Sequence, residues 1–390
     1  MTTFRQKGKN TYQLRASLGI GSNNKYIYKY KTYRVTEKLT PKQLEMHLQN
    51  EAYKFEQDAL SQKHFMNSKY TFVDFVEHWK VNWLEKEVSE STIILRLSSL
   101  NNHIIPVLGH LKLNKITTMM LFDLINNLTR KDKQKGELSN SAKHEVHKVL
   151  MSIFKNAVNW SIIKTNPMLG IKAPSQKRKS EHTLNVFDEN EVKKLLVALQ
   201  SELEHWKVFI TLALATGMRR SELTGLEWKH VDLEKGIINI QQIISKSREG
   251  TEIKTPKYNS KRVIAIPSNI IEMLKRYKLY SIKEKEALQH TWSEKEYDWL
   301  FYNEHGNHLH PDTPTKWWKR FLTRKKIRHI RLHDLRHTAA TLLIAKNVHP
   351  KIISERLGHR DISTTMNIYG HTLPSIDRKA SEKINDIFSI

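Results

Sequence analysis

The densest chemistry in the chain is the run Leu332-His333-Asp334-Leu335-Arg336-His337, which places two imidazoles, a guanidinium and a carboxylate within five residues. The following text, Thr338-Ala339-Ala340-Thr341-Leu342-Leu343, reads as helix. His333 and Arg336 are three apart, so a helix sets them on one face, where both can converge on a single phosphate. The guanidinium would grip two oxygens with a permanent charge, and the imidazole can exchange a proton near neutral pH. A second reading competes: His333 and His337, at i and i+4, imitate the paired ligands of a zinc hydrolase helix, with His359 as a third. Against it, Asp334 stands where that motif has Glu, and Arg336 would set a cation against the metal.

Three further places carry candidate groups. In Thr216-Gly217-Met218-Arg219-Arg220-Ser221-Glu222-Leu223, the glycine lets the chain turn at the end of an apolar helix, so that the next element starts with a cation aimed into a cleft. Either Arg219 or Arg220 could be that cation, a surface Arg pair after a helix cap would look the same, and Glu222 could orient an arginine or histidine through a buried ion pair. Lys254-Thr255-Pro256-Lys257-Tyr258-Asn259-Ser260-Lys261-Arg262 reads as the polar tip of a hairpin, with lysines able to reach a phosphate or a leaving oxygen, although a solvated basic turn would look the same. In Glu355-Arg356-Leu357-Gly358-His359, Gly358 fits a helix stop that projects His359, and Ser363 fits the start of a short helix that sets Tyr369 one to two turns on.

The elements that must hold these groups fall into three segments. From about Met1 to Leu60, Tyr12, Leu14, Ala16 and Leu18 alternate with polar residues, Gly21 to Asn24 reads as a turn, and Tyr26, Tyr28, Tyr30, Thr32 and Arg34 recur with period two, predicting a small antiparallel sheet. Thr40-Pro41-Lys42-Gln43 is a capping box that starts a helix to about Leu60, and Ser61 to Lys69 reads as a linker. Thr71 then caps a helix with Phe72, Phe75, Val76, Trp79 and Trp83 on one stripe, followed by helical text at Glu90 to His103, Thr118 to Leu128 and Ser141 to Ile163. Pro106 to Gly109 should separate two of these helices, and Asn166-Pro167 should end the last. The basic stretch Ile171 to Asn185 is an extended linker. Beyond it lie a helix from Asp188, a helix from Trp206 to Ala215, a sheet region between Ile237 and Ile266, and helix thereafter. The fold class is therefore multidomain α+β: a β-sheet plus helix (residues 1–62), an all-helical domain (70–170), a linker (171–185) and a mixed, mainly α domain with a small sheet (186–390).

With 65 Lys and Arg against 40 Asp and Glu, the 390-residue chain carries a formal charge of +25, which points to a polyanion partner, nucleic acid first. The absence of Cys excludes disulfides, thiolate nucleophiles and Cys-ligated zinc. No apolar run approaches the ~20 residues of a membrane span, and the N-terminus lacks a signal sequence, so a cytoplasmic protein without a membrane partner is expected.

Taken together, the four places resemble the tyrosine recombinase family, the lambda-type integrases. The Thr-Gly-hydrophobic-Arg box is Thr216 to Arg219, the His-x-x-Arg box His333 to Arg336, the Leu-Gly-His box Leu357 to His359, and the nucleophile motif Thr365 to Tyr369, ten residues after His359. The resemblance spans the whole chain, since such integrases carry an arm-binding domain, a helical core-binding domain and a catalytic domain. It implies that Arg219 and Arg336 clamp the scissile phosphate, that His333 and His359 hydrogen-bond it and assist proton transfer, that Lys257, rather than Lys254, protonates the departing 5′ oxygen, and that Tyr369 is the nucleophile. A free phenol with pKa ~10 is ionised only about one part in a thousand at pH 7, so a base and a cationic pocket are needed. The resemblance further implies a 3′-phosphotyrosine intermediate formed without ATP, metal or other cofactor. It also implies double-stranded DNA with core and arm-type attachment sites as partner, a homo-tetramer on DNA, a host DNA-bending protein and an excision factor. By the same resemblance the C-terminal Leu373 to Ile390 would pack on a neighbouring protomer, intramolecular packing being the alternative. A DNA-binding protein without catalysis would share this composition and domain plan.

Overall fold

Alternation at the N-terminus becomes a three-stranded antiparallel sheet because one face of its central strand is apolar. The computed structural model describes residues 3–20, 26–36, 39–66, 70–130, 136–175, 185–256, 260–288, 292, 296–363 and 365–366. Two units are distinguished, Met1–Arg178 and Lys179–Ile390.

In the first unit, β2 (Thr11–Ile20) pairs with β1 (Thr3–Gly8) on one side and β3 (Tyr26–Arg34) on the other, with Leu14 opposite Phe4 and Lys31. Tyr12, Leu14 and Ala16 are buried, while Tyr26, Tyr28 and Tyr30 of β3 are exposed. The strand β1 escapes the sequence reading because Phe4 is its only large apolar residue; it forms as an edge paired to β2. Helix α1 (Pro41–Met66) starts at the expected capping box, with Thr40 N–H donating to Gln43 Oε1 at 3.1 Å, and it buries Leu48 and Ala52. It runs on through the expected linker to Met66, since no Gly or Pro stops it there.

Thr71 and Asp74 form the reciprocal cap of α2 (Phe72–Trp79), whose Phe72, Phe75, Val76 and Trp79 are core. A π-helical turn, Lys80–Leu84, leads into α3 (Glu85–Glu87), and Trp83 stacks on Trp79 at 5.5 Å. Next, α4 (Glu90–Ser99) passes through a second π-helical turn, Leu100–Ile104, into α5 (Ile105–Leu108). Pro106 therefore does not break the helical text: it sits in the first turn of α5, where its missing N–H costs least. Helices α6 (Thr118–Asn126) and α7 (Asn140–Asn159) complete the bundle. The last ends before the expected stop, because the chain turns back at Ser161 with φ +55° and Ile162 N–H bonds to Ala157 O at 2.9 Å.

The second unit begins with α8 (Glu189–Leu199), capped reciprocally by Asp188 and Glu191, followed by α9 (Glu204–Thr216) and α10 (Arg220–Thr224). Strands β4 (Val231–Asp232), β5 (Ile237–Ile240), β6 (Ile243–Ser247), β7 (Gly250–Lys254) and β8 (Arg262–Ala265) precede α11 (Ser268–Ala287), α12 (Thr313–Arg324), α13 (Asp334–Ala345) and α14 (Pro350–Leu357). Phe209, Leu212, Tyr277, Phe301, Trp318 and Leu335 anchor the core, and α13 packs against α9.

The sheet corrects one expectation. Lys254 to Arg262 is not the tip of a hairpin, because β7 pairs with β6 and β8 pairs with β5 in a separate sheet. Between the pairs Ile240–Arg262 and Ile243–Lys254, one arm has the two residues 241–242 and the other the seven residues 255–261. The returning arm thus carries five residues more than the outgoing one between the two sheets, and 257–259 among them lie outside the described residues. Within the described residues no helix is long and apolar enough to cross a membrane.

Candidate active site

Local folding explains how the two arginine boxes meet. Apolar α9 ends on Gly217, whose φ of +65° lets the chain reverse without a Cβ clash. A Cβ there would also lie 2.3 Å from Leu357 Cδ2, so the turn after α9 is seated directly on the end of α14. Gly358 ends α14 in the same left-handed conformation, φ +67°, and delivers His359 from the cap. Buried Arg336, on the first turn of α13, donates from Nη1 to Gly217 O at 2.8 Å, while Arg219 donates from Nη2 to Gly358 O at 2.8 Å. These contacts link Arg336, Gly217, Arg219, Gly358 and His359 in a partial ring.

Under the ring lies Glu222, with 1% of its surface exposed. Its carboxylate accepts from Arg219 N at 2.8 Å, Arg219 Nη1 at 2.8 Å, and Arg262 Nη1 and Nη2 at 3.0 and 2.8 Å. Burial alone would raise its pKa, but the hydrogen bonds from Arg262 and the charges of Arg262 and Arg219 outweigh that and hold it below the ordinary value. The expectation that Glu222 orients an arginine through a buried ion pair agrees with this geometry.

Arg219, Glu222, Ser260, Arg262, Gly358 and His359 line a cleft of about 820 Å³. Its cations are crowded. Burial first, then the Arg219 charge, lowers the Arg336 pKa to about 9, and Arg336 Nη2 is buried with no hydrogen-bond partner among the described residues. Burial, followed by Arg336 and Arg219, takes His359 down to about 4, so its imidazole is neutral at pH 7. Its Nδ1 lies 2.7 Å from Thr365 Oγ1, which fixes the ring plane. His333 caps α13 and packs edge-on against His337 with ring centroids 5.2 Å apart; partial burial, then His337 and Arg336, lowers it to about 4 as well.

Arg219, Arg336 and His359 are thus brought together, His333 flanks them on α13, and Lys257 and Tyr369 lie outside the described residues, as does the tail from Leu373. Lys254 forms an ion pair with Glu252 at 2.5 Å on β7, and Arg220 points to α12, donating to Thr315 Oγ1 at 2.9 Å. Two residues were missed by sequence reasoning. Arg262 completes the Glu222 cluster, and Arg356 donates to Ala215 O at 2.9 Å and Ala265 O at 3.0 Å, tying α14 to α9 and β8. Neither role could be read locally, because the partners are distant in sequence: Glu222 lies 40 residues from Arg262, and Ala215 and Ala265 lie 141 and 91 residues from Arg356. Within the described residues no three His, Cys, Asp or Glu side chains group as a metal site.

Chemically, the ring offers fixed cations and neutral imidazoles around a cleft, which suits binding an anion that gains charge during a reaction. Comparison with known proteins gives that geometry a family. Residues 185–375 match the phage integrase family, and residues 71–129 match the phage integrase N-terminal SAM-like domain. The chain is 28% identical to a tyrosine recombinase XerC-like protein of Caldanaerobacter subterraneus over 99% of both chains. It is 30% identical to a tyrosine recombinase of Thermosipho africanus, covering 63% of this chain and 81% of that one. Among solved structures, the Tn1549 transposon integrase in complex with transposon right end DNA shares the fold with a TM-score of 0.64 at 20% identity, over 81% of this chain and 100% of that one. A lambda integrase tetramer bound to a Holliday junction shares it at 0.58 and 18%, over 93% and 95%. The chain belongs to the phage integrase family and is a tyrosine recombinase, an enzyme of site-specific DNA strand exchange.

Proposed function

We propose that the cleft holds the scissile phosphate of an attachment site, with Arg219 and Arg336 as its clamp. The observation that carries this reading is the orphaned Nη2 of Arg336, a buried cationic donor beside a second arginine. A buried donor is rarely left unpaired, and a non-bridging phosphate oxygen would pair it. In this reading the Tyr369 hydroxyl attacks phosphorus, the bond to the 5′ oxygen breaks, and Lys257 supplies the proton that the leaving oxygen takes up. His333 and His359, neutral in the free protein, hydrogen-bond the phosphate and can accept the phenolic proton. The 3′-phosphotyrosine conserves the phosphodiester bond energy, so a partner strand's 5′ hydroxyl can reseal the joint without ATP or a metal.

The wider assignment follows the domain plan: residues 1–62 for arm-type sites, 70–170 for core sites, 171–185 as linker and 186–390 for catalysis. The N-terminal domain favours integration, and excision, of a mobile element over chromosome-dimer resolution. Assembly as a homo-tetramer on two duplexes, with a host DNA-bending protein and an excision factor, completes the proposal. The exposed tyrosines of β3, interleaved with Lys29 and Lys31, suit a sheet lying on DNA.

The test is incubation of wild type, Tyr369→Phe and Arg336→Ala with nicked, labelled attachment-site DNA in EDTA, followed by denaturing electrophoresis. Wild type should give a covalent adduct, Tyr369→Phe none, and Arg336→Ala roughly 10²- to 10³-fold less, the usual loss on removing one transition-state donor. Binding by wild type without any adduct would favour the non-catalytic DNA-binding protein instead.

A further inference from the structure

We propose that Arg262 is a positioning residue for strand cleavage, locking the phosphate-clamping Arg219 through Glu222; this rests on the assignment of Arg219 above. Arg262 opens β8, immediately after Ser260 and Lys261, which line the cleft. Its side chain is 9% exposed and reaches two other segments at once. Both terminal nitrogens grip the Glu222 carboxylate, at 3.0 and 2.8 Å, and Nε donates to Arg356 O at 2.8 Å at the end of α14. The guanidinium also closes against the next turn: a Cβ on Gly358 would meet its Nη1 at 2.8 Å and its Cζ at 3.0 Å. Gly358 is the residue whose carbonyl holds Arg219 Nη2.

Arg262 therefore acts on Arg219 from both sides. Through Glu222 it occupies one lone pair on each oxygen, leaving a single direction on Oε1 for Arg219 Nη1. Through Gly358 it sets the carbonyl that receives Arg219 Nη2. Without Arg262, Glu222 would be a buried carboxylate with one cationic partner, free to draw the whole Arg219 guanidinium into a two-pronged pair and away from the cleft. Such a withdrawal of about 1 Å suffices to cost roughly 10²-fold in rate.

The experiment measures single-turnover adduct formation at saturating DNA, DNA affinity and thermal midpoint for wild type, Arg262→Gln, Arg262→Lys, Arg219→Lys and the Arg219→Lys/Arg262→Gln pair. Arg262→Gln should lose roughly 10²-fold in adduct rate with DNA affinity within about twofold of wild type, and Arg262→Lys, which can still reach one Glu222 oxygen, should recover about a tenth of the wild-type rate or more. The deciding readout is the double variant. If Arg262 works through Arg219, Arg262→Gln costs less than about threefold once Arg219 is already lysine; an unchanged roughly 10²-fold cost in that background overturns the proposal. If Arg262→Gln is unfolded at the assay temperature, Arg262→Lys carries the same comparison in both backgrounds, and a rate that simply follows the thermal midpoint is also an overturning result. Failure of wild type itself to form an adduct would instead bring down the catalytic reading on which this rests.

Discussion

Replacing Glu222 by Gln removes the one negative charge under a cluster of arginines. The carboxylate serves four N–H donors at 2.8 to 3.0 Å, and the side chain of its partner Arg262 is only 9% exposed. A glutamine of the same shape offers one acceptor and turns an NH₂ group toward guanidinium N–H groups, so donors face donors and the largely enclosed Arg262 loses its counter-charge. Breaking a buried ion pair in this way costs about 3–5 kcal/mol. For a unit of this size, each kcal/mol shifts the thermal midpoint by about 2–4 °C, so a loss of roughly 6 to 20 °C is expected. Differential scanning calorimetry of the two proteins across pH checks both size and sign. The folded-state pKa of Glu222 lies below the ordinary glutamate value of 4.5, so its contribution is present above 4.5 and lost as pH falls through the folded value. The gap between wild type and Glu222→Gln should therefore be constant from pH 8 to about pH 5 and narrow in more acid solution. A shift under about 2 °C at pH 7, or a gap that widens on acidification, would refute the reasoning.

Gly358→Ala should lower stability by about 1–2 kcal/mol from the left-handed backbone alone, and adduct formation should fall with it because the new methyl, 2.8 Å from Arg262 Nη1, displaces the Glu222 clamp; chemical denaturation and the adduct assay read the two effects. DNA binding should take up protons at pH 6 and not at pH 8, because phosphate facing His333 and His359 raises values that sit at about 4 in the free protein; calorimetric enthalpies in buffers of different ionisation heat measure the uptake, and His359→Gln should reduce it. By the same linkage the free protein should lose stability as pH falls from 6.5 toward 4, since the unfolded chain binds protons that the folded histidines refuse.

What the sequence made legible was whatever rests on local rules. The capping box at Thr40, the cap at Thr71, the helix start at Asp188 and the glycine stops at Gly217 and Gly358 are written in a few adjacent residues, and each is where it was expected. The stripe from Phe72 to Trp79 was recognisable as core for the same reason. Elements decided by distant partners were not legible. Strand β1 has too few apolar residues to show a period and exists because β2 offers an edge. The pairing of β8 with β5 rather than β7 depends on register across the whole hairpin, not on the Lys254 to Arg262 text. Pro106 was taken for a break because a π-helical turn before it leaves no composition signal. In the site, residue types and spacing named the cleft-side groups, whereas Arg262 was invisible because its partner is 40 residues away and its neighbours are equally basic.

The contact between Gly217 and Leu357 has a bearing on how this catalytic domain can be re-engineered. Leu357 Cδ2 fills the volume that a side chain at position 217 would need, so two stretches of text 140 residues apart are halves of one steric fit. A chimera that grafts the segment around α14 from a relative inherits a leucine-shaped or differently shaped plug, and works only if the residue after α9 leaves the matching hollow. Recombination between such genes should consequently succeed across a junction between α9 and α14 when both parents carry glycine at 217 and leucine at 357, and fail when a graft changes one of the two without the other.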